Sequence, residues 1–148
     1  MRTYQAQESA VIRASAAHVY SILSDYHEKH RAILPTRYFK NLQVVKGGQG
    51  AGTVIDVAMD VYGQQFNYHM TVSEPEPGRI LKEEDPQVGL ATTFTVDPLN
   101  DRESKITIQS VAKASPGFKG WVEKLMTPSI MRRIYREQLA QLALLAEK

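Results

Sequence analysis

Apolar and polar residues alternate through the middle of the chain. In the segment "TVIDVAMDV", every second residue from Thr53 to Val61 falls on one side, while Asp56 and Asp60 fall on the other. A period of two is typical of a half-buried strand. The same period recurs in "QQFNYHMTV", "LATTFTV" and "SKITIQSVA", with turn-forming clusters such as "EPEPGR" between them. We therefore predict an antiparallel sheet in which consecutive strands are neighbours.

Two short helices are predicted directly after the first strand, which we place at residues 3–13. Ser15 is suited to an N-cap, and apolar residues follow it at helical spacing. Asp25 and Glu28 have the spacing of a capping box. The second helix is therefore predicted to run from about residue 26 to residue 33.

A longer helix of about 20 residues is predicted at the C-terminal end of the chain. Thr127 is suited to the N-cap and Pro128 to the first helical position. Met131 and Tyr135 lie on the apolar face of this helix, and the helical wheel places Gln138 inside the same face. We expect Gln138 to face a wet cavity or a ligand, because a polar side chain without a partner is costly in a dry core.

These elements predict an α+β fold, in which a curved antiparallel sheet of about six to seven strands lies around the last helix. A short helical piece is also predicted at residues 118–126. A long twisted sheet curves, so it cannot contact one helix everywhere, and the gap forms a natural cavity. Residues predicted to face this cavity and bind a ligand are Val57, Met59, Phe66, Tyr68, Met70, Leu81, Phe94, Met131, Tyr135 and Gln138.

Composition narrows the class of protein. The 148 residues are 43% hydrophobic and 23% charged, as expected for one globular domain. A formal net charge of +2 gives no strong field for nucleic acid, so no nucleic-acid partner is expected. The chain has no cysteine, which excludes disulfides and thiolate chemistry. No apolar stretch is long enough for a membrane span and no secretion signal is seen, so a cytoplasmic location is expected.

The glycine-rich segment "KGGQGAG" resembles a phosphate-binding loop only superficially. Such a loop needs a helix N-terminus directly after its glycines, whereas an alternating strand follows Gly52. We therefore expect a mobile hairpin loop in which the glycines adopt positive φ values. The functional alternative is that this loop borders the entrance of the cavity.

Two histidines on the second predicted helix raise the question of a metal site. His27 and His30 share a helix face, so both could be zinc ligands. The chain has no cysteine and no third ligand is evident. We therefore predict neither a metal nor any other cofactor, and we expect both side chains on a solvated face beside Lys29 and Arg31.

Two further acid–base candidates lie on predicted strands. His69 and Asp56 fall opposite the apolar faces of their strands, so we expect both in solvent and assign no catalytic pair to them. Glu83 shares the face of Leu81. If Leu81 points inward, Glu83 becomes a cavity carboxylate with a raised pKa that could transfer protons. A strand this short fixes its register weakly, and the register with Ile80 inward and Glu83 outside is favoured.

The order of elements resembles the helix-grip fold of the START-like superfamily (SRPBCC), which includes Bet v 1-like, polyketide cyclase/dehydrase and lipid-transport proteins. "ASAAHVYSILSDYHEKH" is similar to the family's first helix, and "KGGQGAGTVIDVAM" to its glycine-rich loop and following strand. "EPEPGRIL" resembles the turn into the fifth strand, and "LMTPSIMRRIYREQLAQLALLAE" the long last helix. The resemblance covers essentially the whole chain and implies one domain over residues 1–148. It also implies a cavity for lipids, sterols, polyketides or aromatic products.

The first functional hypothesis is the binding of a hydrophobic or aromatic small molecule between the sheet and the last helix. The alternative is a cyclase- or dehydratase-type enzyme that uses a cavity acid such as Glu83, or a tyrosine, for general acid–base catalysis. A third is an interaction module with a vestigial cavity. A polar cavity residue with a shifted pKa favours the enzyme, an apolar lining favours the carrier, and a packed interior favours the module. The chain is expected to be a monomer or a homodimer.

Overall fold

The computed structural model describes residues 3–113 and 127–148. The short helical piece predicted at residues 118–126 lies outside the described residues. The strands are β1 (Thr3–Ile12), β2 (Phe39–Lys46), β3 (Val54–Val61), β4 (Gln64–Glu76), β5 (Ile80–Asp85), β6 (Leu90–Asn100) and β7 (Glu103–Lys113). The helices are α1 (Ala16–Ser24), α2 (Lys29–Ala32) and α3 (Pro128–Ala146).

The seven strands form one antiparallel sheet in the order β1-β7-β6-β5-β4-β3-β2. The sheet is curved around α3, which confirms the predicted α+β helix-grip fold. Its two edges are β1 and β2, although these strands are consecutive along the chain. Residues 13–38, which include α1 and α2, must therefore connect one edge of the sheet to the other. This crossing brings residues of α2 into the interior.

Burial along the central strands follows the predicted alternation. On β3, Ile55, Val57 and Met59 are buried and Asp56 is exposed. The favoured register of β5 was wrong, because Leu81 and Glu83 are the buried residues. The physical reason is that β5 is paired on both sides, with β4 and with β6. These pairings determine which face turns inward, and they are not visible in so short a segment.

The last helix begins as its sequence predicts. Thr127 is the N-cap, its side chain accepts a hydrogen bond from the amide of Ile130, and Pro128 follows it. The buried face of α3 consists of Met131, Ile134, Tyr135, Gln138, Leu139, Leu142 and Ala146. The predicted inward position of Gln138 is therefore confirmed. None of the helices within residues 3–113 and 127–148 is long and apolar enough to cross a membrane.

The second helix is a single turn, much shorter than expected. The carboxylate of Asp25 accepts hydrogen bonds from the amides of His27 and Glu28, so residues 26–28 form a turn before α2 begins. A capping interaction at this spacing was expected. The turn it stabilises changes the direction of the chain, so a helical wheel drawn over residues 26–33 does not apply.

The glycine-rich loop between β2 and β3 is held against the segment that joins α1 to α2. The carbonyl of Gly48 accepts a hydrogen bond from the amide of Tyr26 at 2.9 Å, and the amide of Gly50 donates to Ser24 at 3.0 Å. Gly48 has a φ of 139°, and a Cβ there would lie 1.9 Å from the ring of His27. The backbone of the predicted hairpin is therefore bound to a neighbouring segment of the chain.

Candidate functional site

A small cavity lies between the inner face of the sheet and α3. Its volume is about 60 Å³. Eight of the ten residues predicted to bind a ligand line this cavity: Val57, Met59, Tyr68, Met70, Phe94, Met131, Tyr135 and Gln138. The other lining residues are Glu83, His30, Leu34, Phe39, Leu42, Ile55, Leu90, Thr92 and Ile134. Strands and helices thus bring most of the predicted set to one place.

Phe66 and Leu81 are buried but do not line the cavity. Phe66 pairs across the sheet with Met59 near the β3–β4 turn, and its ring stacks parallel to Tyr68. Leu81 pairs with Phe94 of β6. Both side chains point to the inner face, as predicted, but they pack within the core. An inward orientation on a strand therefore does not by itself place a residue at the cavity.

The cavity is almost filled by the side chains around it. A water molecule needs roughly 10–15 Å³ by this measure, so the space holds on the order of five waters. Pockets for drug-sized ligands measure about 300–1,000 Å³. Met59, Met70 and Met131 line the space, and methionine side chains adapt readily to irregular gaps. A larger guest would require these side chains to move.

One wall of the cavity carries a cluster of three buried polar side chains, which we call the Glu83 cluster: Tyr26, His30 and Glu83. The hydroxyl of Tyr26 donates a hydrogen bond to Oε2 of Glu83 at 2.6 Å. Nε2 of His30 lies 3.4 Å from the same oxygen. The imidazole stacks on the ring of Tyr26 with 4.3 Å between centroids and meets Phe94 edge-on. The cluster therefore anchors Glu83 at the cavity.

His30 corrects the expectation of a solvated helix face. It is 2% exposed, whereas its neighbours Lys29 and Arg31 and the earlier His27 are exposed. The single turn of α2 lies on the inner side of the crossing segment, so one of its side chains must point inward.

One ring nitrogen of His30 is bound to the backbone. Nδ1 is 2.7 Å from the carbonyl oxygen of Leu23, which can only accept, so Nδ1 donates to it. The other nitrogen, Nε2, faces Oε2 of Glu83 at 3.4 Å. The hydroxyl of Tyr26 donates to the same oxygen, so Oε2 faces both side chains.

The hydroxyl of Tyr26 is protonated at neutral pH. Burial raises the pKa of Tyr26 well above its usual value, and the charge of Glu83 and the hydrogen bond to it raise this pKa further. A neutral phenol is a donor to the carboxylate. Tyr26 therefore acts as a permanent hydrogen-bond donor to Glu83 at neutral pH.

A row of polar side chains continues from Glu83 across the apolar face of the sheet. Glu83 pairs with Thr92 on β6, and Thr92 pairs with Ser110 on β7. The hydroxyls of Thr92 and Ser110 lie 2.6 Å apart, and Ser110 is hydrogen-bonded to the hydroxyl of Tyr135. Burial raises the pKa of Tyr135, and its hydrogen bonds partly offset that effect. The row links Glu83 to α3.

Gln138 completes the polar lining from the helix side. It is 3% exposed, and no hydrogen bond joins its amide to another described residue. Among the described residues, no fully enclosed side-chain nitrogen or oxygen lacks a partner. The amide of Gln138 must therefore border the open space of the cavity. This placement agrees with the expectation that Gln138 faces a cavity.

A second histidine–carboxylate pair lies on the outer face of the sheet. Nδ1 of His69 is 2.5 Å from Oδ1 of Asp56, and both side chains are more than half exposed. Their predicted orientation toward solvent is confirmed. Within residues 3–113 and 127–148, no group of three or more histidine, aspartate or glutamate side chains is arranged to hold a metal ion.

The chain belongs to the family of polyketide cyclase / dehydrase and lipid transport proteins, whose family model matches residues 3–147. The predicted resemblance to the START-like superfamily is confirmed. A search of curated protein sequences gives no match. The comparisons therefore rest on the family model and on solved structures.

Several solved structures share the fold over nearly the whole chain. The solution structure of the KanY protein is 29% identical, both chains are covered completely, and the TM-score is 0.85. The Zhui aromatase/cyclase from Streptomyces is 17% identical, with 99% of this chain and 94% of that chain covered and a TM-score of 0.76. Norcoclaurine synthase from Thalictrum flavum, in complex with a transition-state analogue, is 20% identical, with 99% and 98% covered and a TM-score of 0.69.

Proposed function

We propose that this member of the family binds one hydrophobic or aromatic small molecule in the cavity between the sheet and α3. The observation that carries the proposal is the composition of the cavity wall. Most lining side chains are aliphatic, aromatic or methionine, and a few polar groups converge among them: Glu83, Thr92, Tyr135 and Gln138. Such a wall is typical of small-molecule sites, where apolar contacts supply affinity and a few polar groups orient the ligand.

The proposed binding includes an expansion of the cavity. Its volume of about 60 Å³ is too small for a molecule with a ring system. Met59, Met70 and Met131 come from different elements and border the same space. Because methionine is unbranched and has several rotatable bonds, these side chains can move aside without displacing the backbone. The ligand would then occupy the space that the methionine side chains had filled.

The test uses an environment-sensitive apolar dye such as an anilinonaphthalene sulfonate. We expect the dye to bind the folded protein with a Kd in the micromolar range, about −8 kcal/mol. Met70→Trp fills the space and should weaken dye binding more than it lowers the free energy of unfolding. Asn67→Trp is the matched control, since it adds the same side chain to an exposed position on the same strand.

The control variant should bind the dye as the wild type does. If Met70→Trp instead loses roughly 1–3 kcal/mol of stability, as overpacking of a closed core does, and the wild type binds no dye, the binding proposal fails. The fold would be unaffected by that result. Equal dye binding by the wild type and both variants would place the dye elsewhere on the surface and would also contradict the proposal.

A second candidate function is catalysis of the cyclase or dehydratase type, which the Glu83 cluster favours. His30 and Glu83 lie 3.4 Å apart at the wall of an apolar cavity, so an imidazole and a carboxyl group are both placed beside a bound ligand. A carboxylate in such a place can take a proton from carbon next to a carbonyl group. The test is deuterium exchange at the α-carbon of 2-tetralone, followed by NMR. Exchange that is unchanged in Glu83→Gln would exclude this role.

A further inference from the structure

The two carboxylate oxygens of Glu83 have different surroundings. Oε2 accepts the hydrogen bond from Tyr26 and faces Nε2 of His30. No hydrogen bond joins Oε1 to another described residue, although the side chain is only about one-tenth exposed. Since no fully enclosed side-chain oxygen of the described residues lacks a partner, Oε1 must border the cavity that Glu83 lines. The cluster therefore holds one oxygen in place and leaves the other open.

The open oxygen is a hydrogen-bond acceptor. His30 donates through Nδ1 to the carbonyl of Leu23, and its Nε2 lies 3.4 Å from Oε2 of Glu83, so His30 faces the other oxygen. Tyr26 stabilises the ionised carboxylate. The neighbouring hydroxyl of Thr92 is already paired with Ser110. No residue within 3–113 and 127–148 donates to Oε1, so this oxygen can accept a hydrogen bond from a ligand that reaches the inner wall.

We propose that Glu83 selects ligands that carry a hydrogen-bond donor of the phenol type at one end of an apolar aromatic skeleton. This inference rests on the proposed binding function and specifies its ligand class. A phenol O–H would donate to Oε1, and its ring would contact the apolar side chains beside Glu83, including Phe94. A charge-assisted hydrogen bond of this type is about twice as strong as one between neutral groups. An ether or a carboxylate at the same position leaves Oε1 unpaired or repelled.

The experiment compares two probes that differ only in the donor, 2-naphthol and 2-methoxynaphthalene, by calorimetric titration. We expect the wild type to bind 2-naphthol about tenfold more tightly, which corresponds to ~1.4 kcal/mol. In Glu83→Gln, the hydroxyl of Tyr26 should keep the amide oxygen on its own side, so the NH₂ group takes the place of Oε1. The amide NH₂ group and the O–H group of 2-naphthol are both donors, so the preference for 2-naphthol over its methyl ether should disappear.

The matched control is Asp56→Asn, which makes the same chemical change in the exposed pair on the outer face. It should keep the roughly tenfold preference. Equal binding of the two probes by the wild type, or an unchanged preference in Glu83→Gln, overturns the inference but leaves the binding function standing. If neither probe binds the wild type, the proposed function and the inference both fail.

A second variant covers the case in which Glu83→Gln does not fold. Tyr26→Phe removes the internal donor and leaves the carboxylate in place, so more of its charge is available to the ligand. We expect the preference for 2-naphthol over its methyl ether to rise above the wild-type value. A preference that stays the same or falls in Tyr26→Phe contradicts a role of Glu83 as the acceptor.

Discussion

One histidine–carboxylate pair lies at each face of the sheet, and the two pairs differ in their surroundings. On the outer face, His69 and Asp56 are separated by 2.5 Å, and their side chains are 60% and 52% exposed. On the inner face, His30 and Glu83 are separated by 3.4 Å, and their side chains are 2% and 10% exposed. The closer pair is the more exposed one.

The difference shows that burial, more than distance, determines what such a pair can do. Water screens the outer pair, and exposed ion pairs contribute about 0–1 kcal/mol to stability. The inner pair is shielded from bulk water, so each member depends more strongly on its protein neighbours. Breaking a buried pair by removing one member destabilises proteins by about 3–5 kcal/mol. The proposed contact between a ligand and Glu83 depends on this difference in burial.

The largest expected effect comes from removing one carboxylate at a time. Glu83→Ala leaves the hydroxyl of Tyr26 without its acceptor and the ring of His30 without its neighbouring carboxylate, and it should lower the free energy of unfolding by about 3 kcal/mol or more. Asp56→Ala should change it by less than ~1 kcal/mol. Urea unfolding of both variants gives the two values. Losses of similar size would mean that the two faces do not differ as described.

A smaller loss of stability is expected at the α3 end of the polar row. Tyr135→Phe removes the hydroxyl that is bonded to Ser110 and should lower the free energy of unfolding by roughly 0.5–1.5 kcal/mol, the usual range for a hydrogen bond. Tyr62→Phe is the control, since Tyr62 is exposed and its hydroxyl accepts from Arg133 at the surface. Thermal unfolding should separate the two variants by several degrees. Equal melting temperatures would argue that the row does not stabilise the fold.

The tyrosines extend the comparison to alkaline pH. The folded pKa of Tyr26 is raised far above 10, whereas that of exposed Tyr62 is lowered by its hydrogen bond with Tyr38 and by Arg133. Above pH 10 the unfolded chain ionises Tyr26 and the folded chain does not, so this contribution to stability is lost as pH rises, by up to ~1.4 kcal/mol per pH unit. Tyr26→Phe should make the loss shallower. A slope identical to that of the wild type would contradict the burial of an un-ionised phenol.

The smallest expected effect concerns the outer pair alone. His69→Gln should change the free energy of unfolding by less than ~0.5 kcal/mol at low salt, and the difference should vanish in 1 M salt because exposed charges are screened. Denaturant titrations at two salt concentrations measure it. A loss of several kcal/mol would show that this pair is structural.

The sequence predicts the fold better than it predicts the site. Alternation along β3 identifies Val57 and Met59 as inward residues, and Thr127 with Pro128 locates the start of α3. These signals are local, because each depends on the periodicity or the capping of one element. The orientation of Glu83 depends on how β5 pairs with its two neighbours, and a short strand does not reveal its pairing.

His30 was missed for a related reason. Its burial follows from the crossing of the chain between the two edges of the sheet, which brings a single helical turn against the cavity. No periodicity extends over so few residues, and the nearby charged residues favoured a solvated face. Thr92 and Ser110 left a clearer signal, since each is a hydroxyl at an apolar position of an alternating strand. A polar residue at an inward position of an otherwise apolar strand face is therefore the sequence feature that best indicates a candidate site.

The hydrogen bond between the amide of Tyr26 and the carbonyl of Gly48 has a consequence for how the protein fluctuates. Tyr26 is bound to the glycine-rich loop through its backbone amide and to Glu83 through its hydroxyl, so we expect the loop and the Glu83 cluster to open together as one cooperative unit. The amide hydrogen of Tyr26 then reports on that unit. Its exchange with solvent deuterium should slow when a ligand occupies the cavity, and the protection factor should give the free energy of opening this unit.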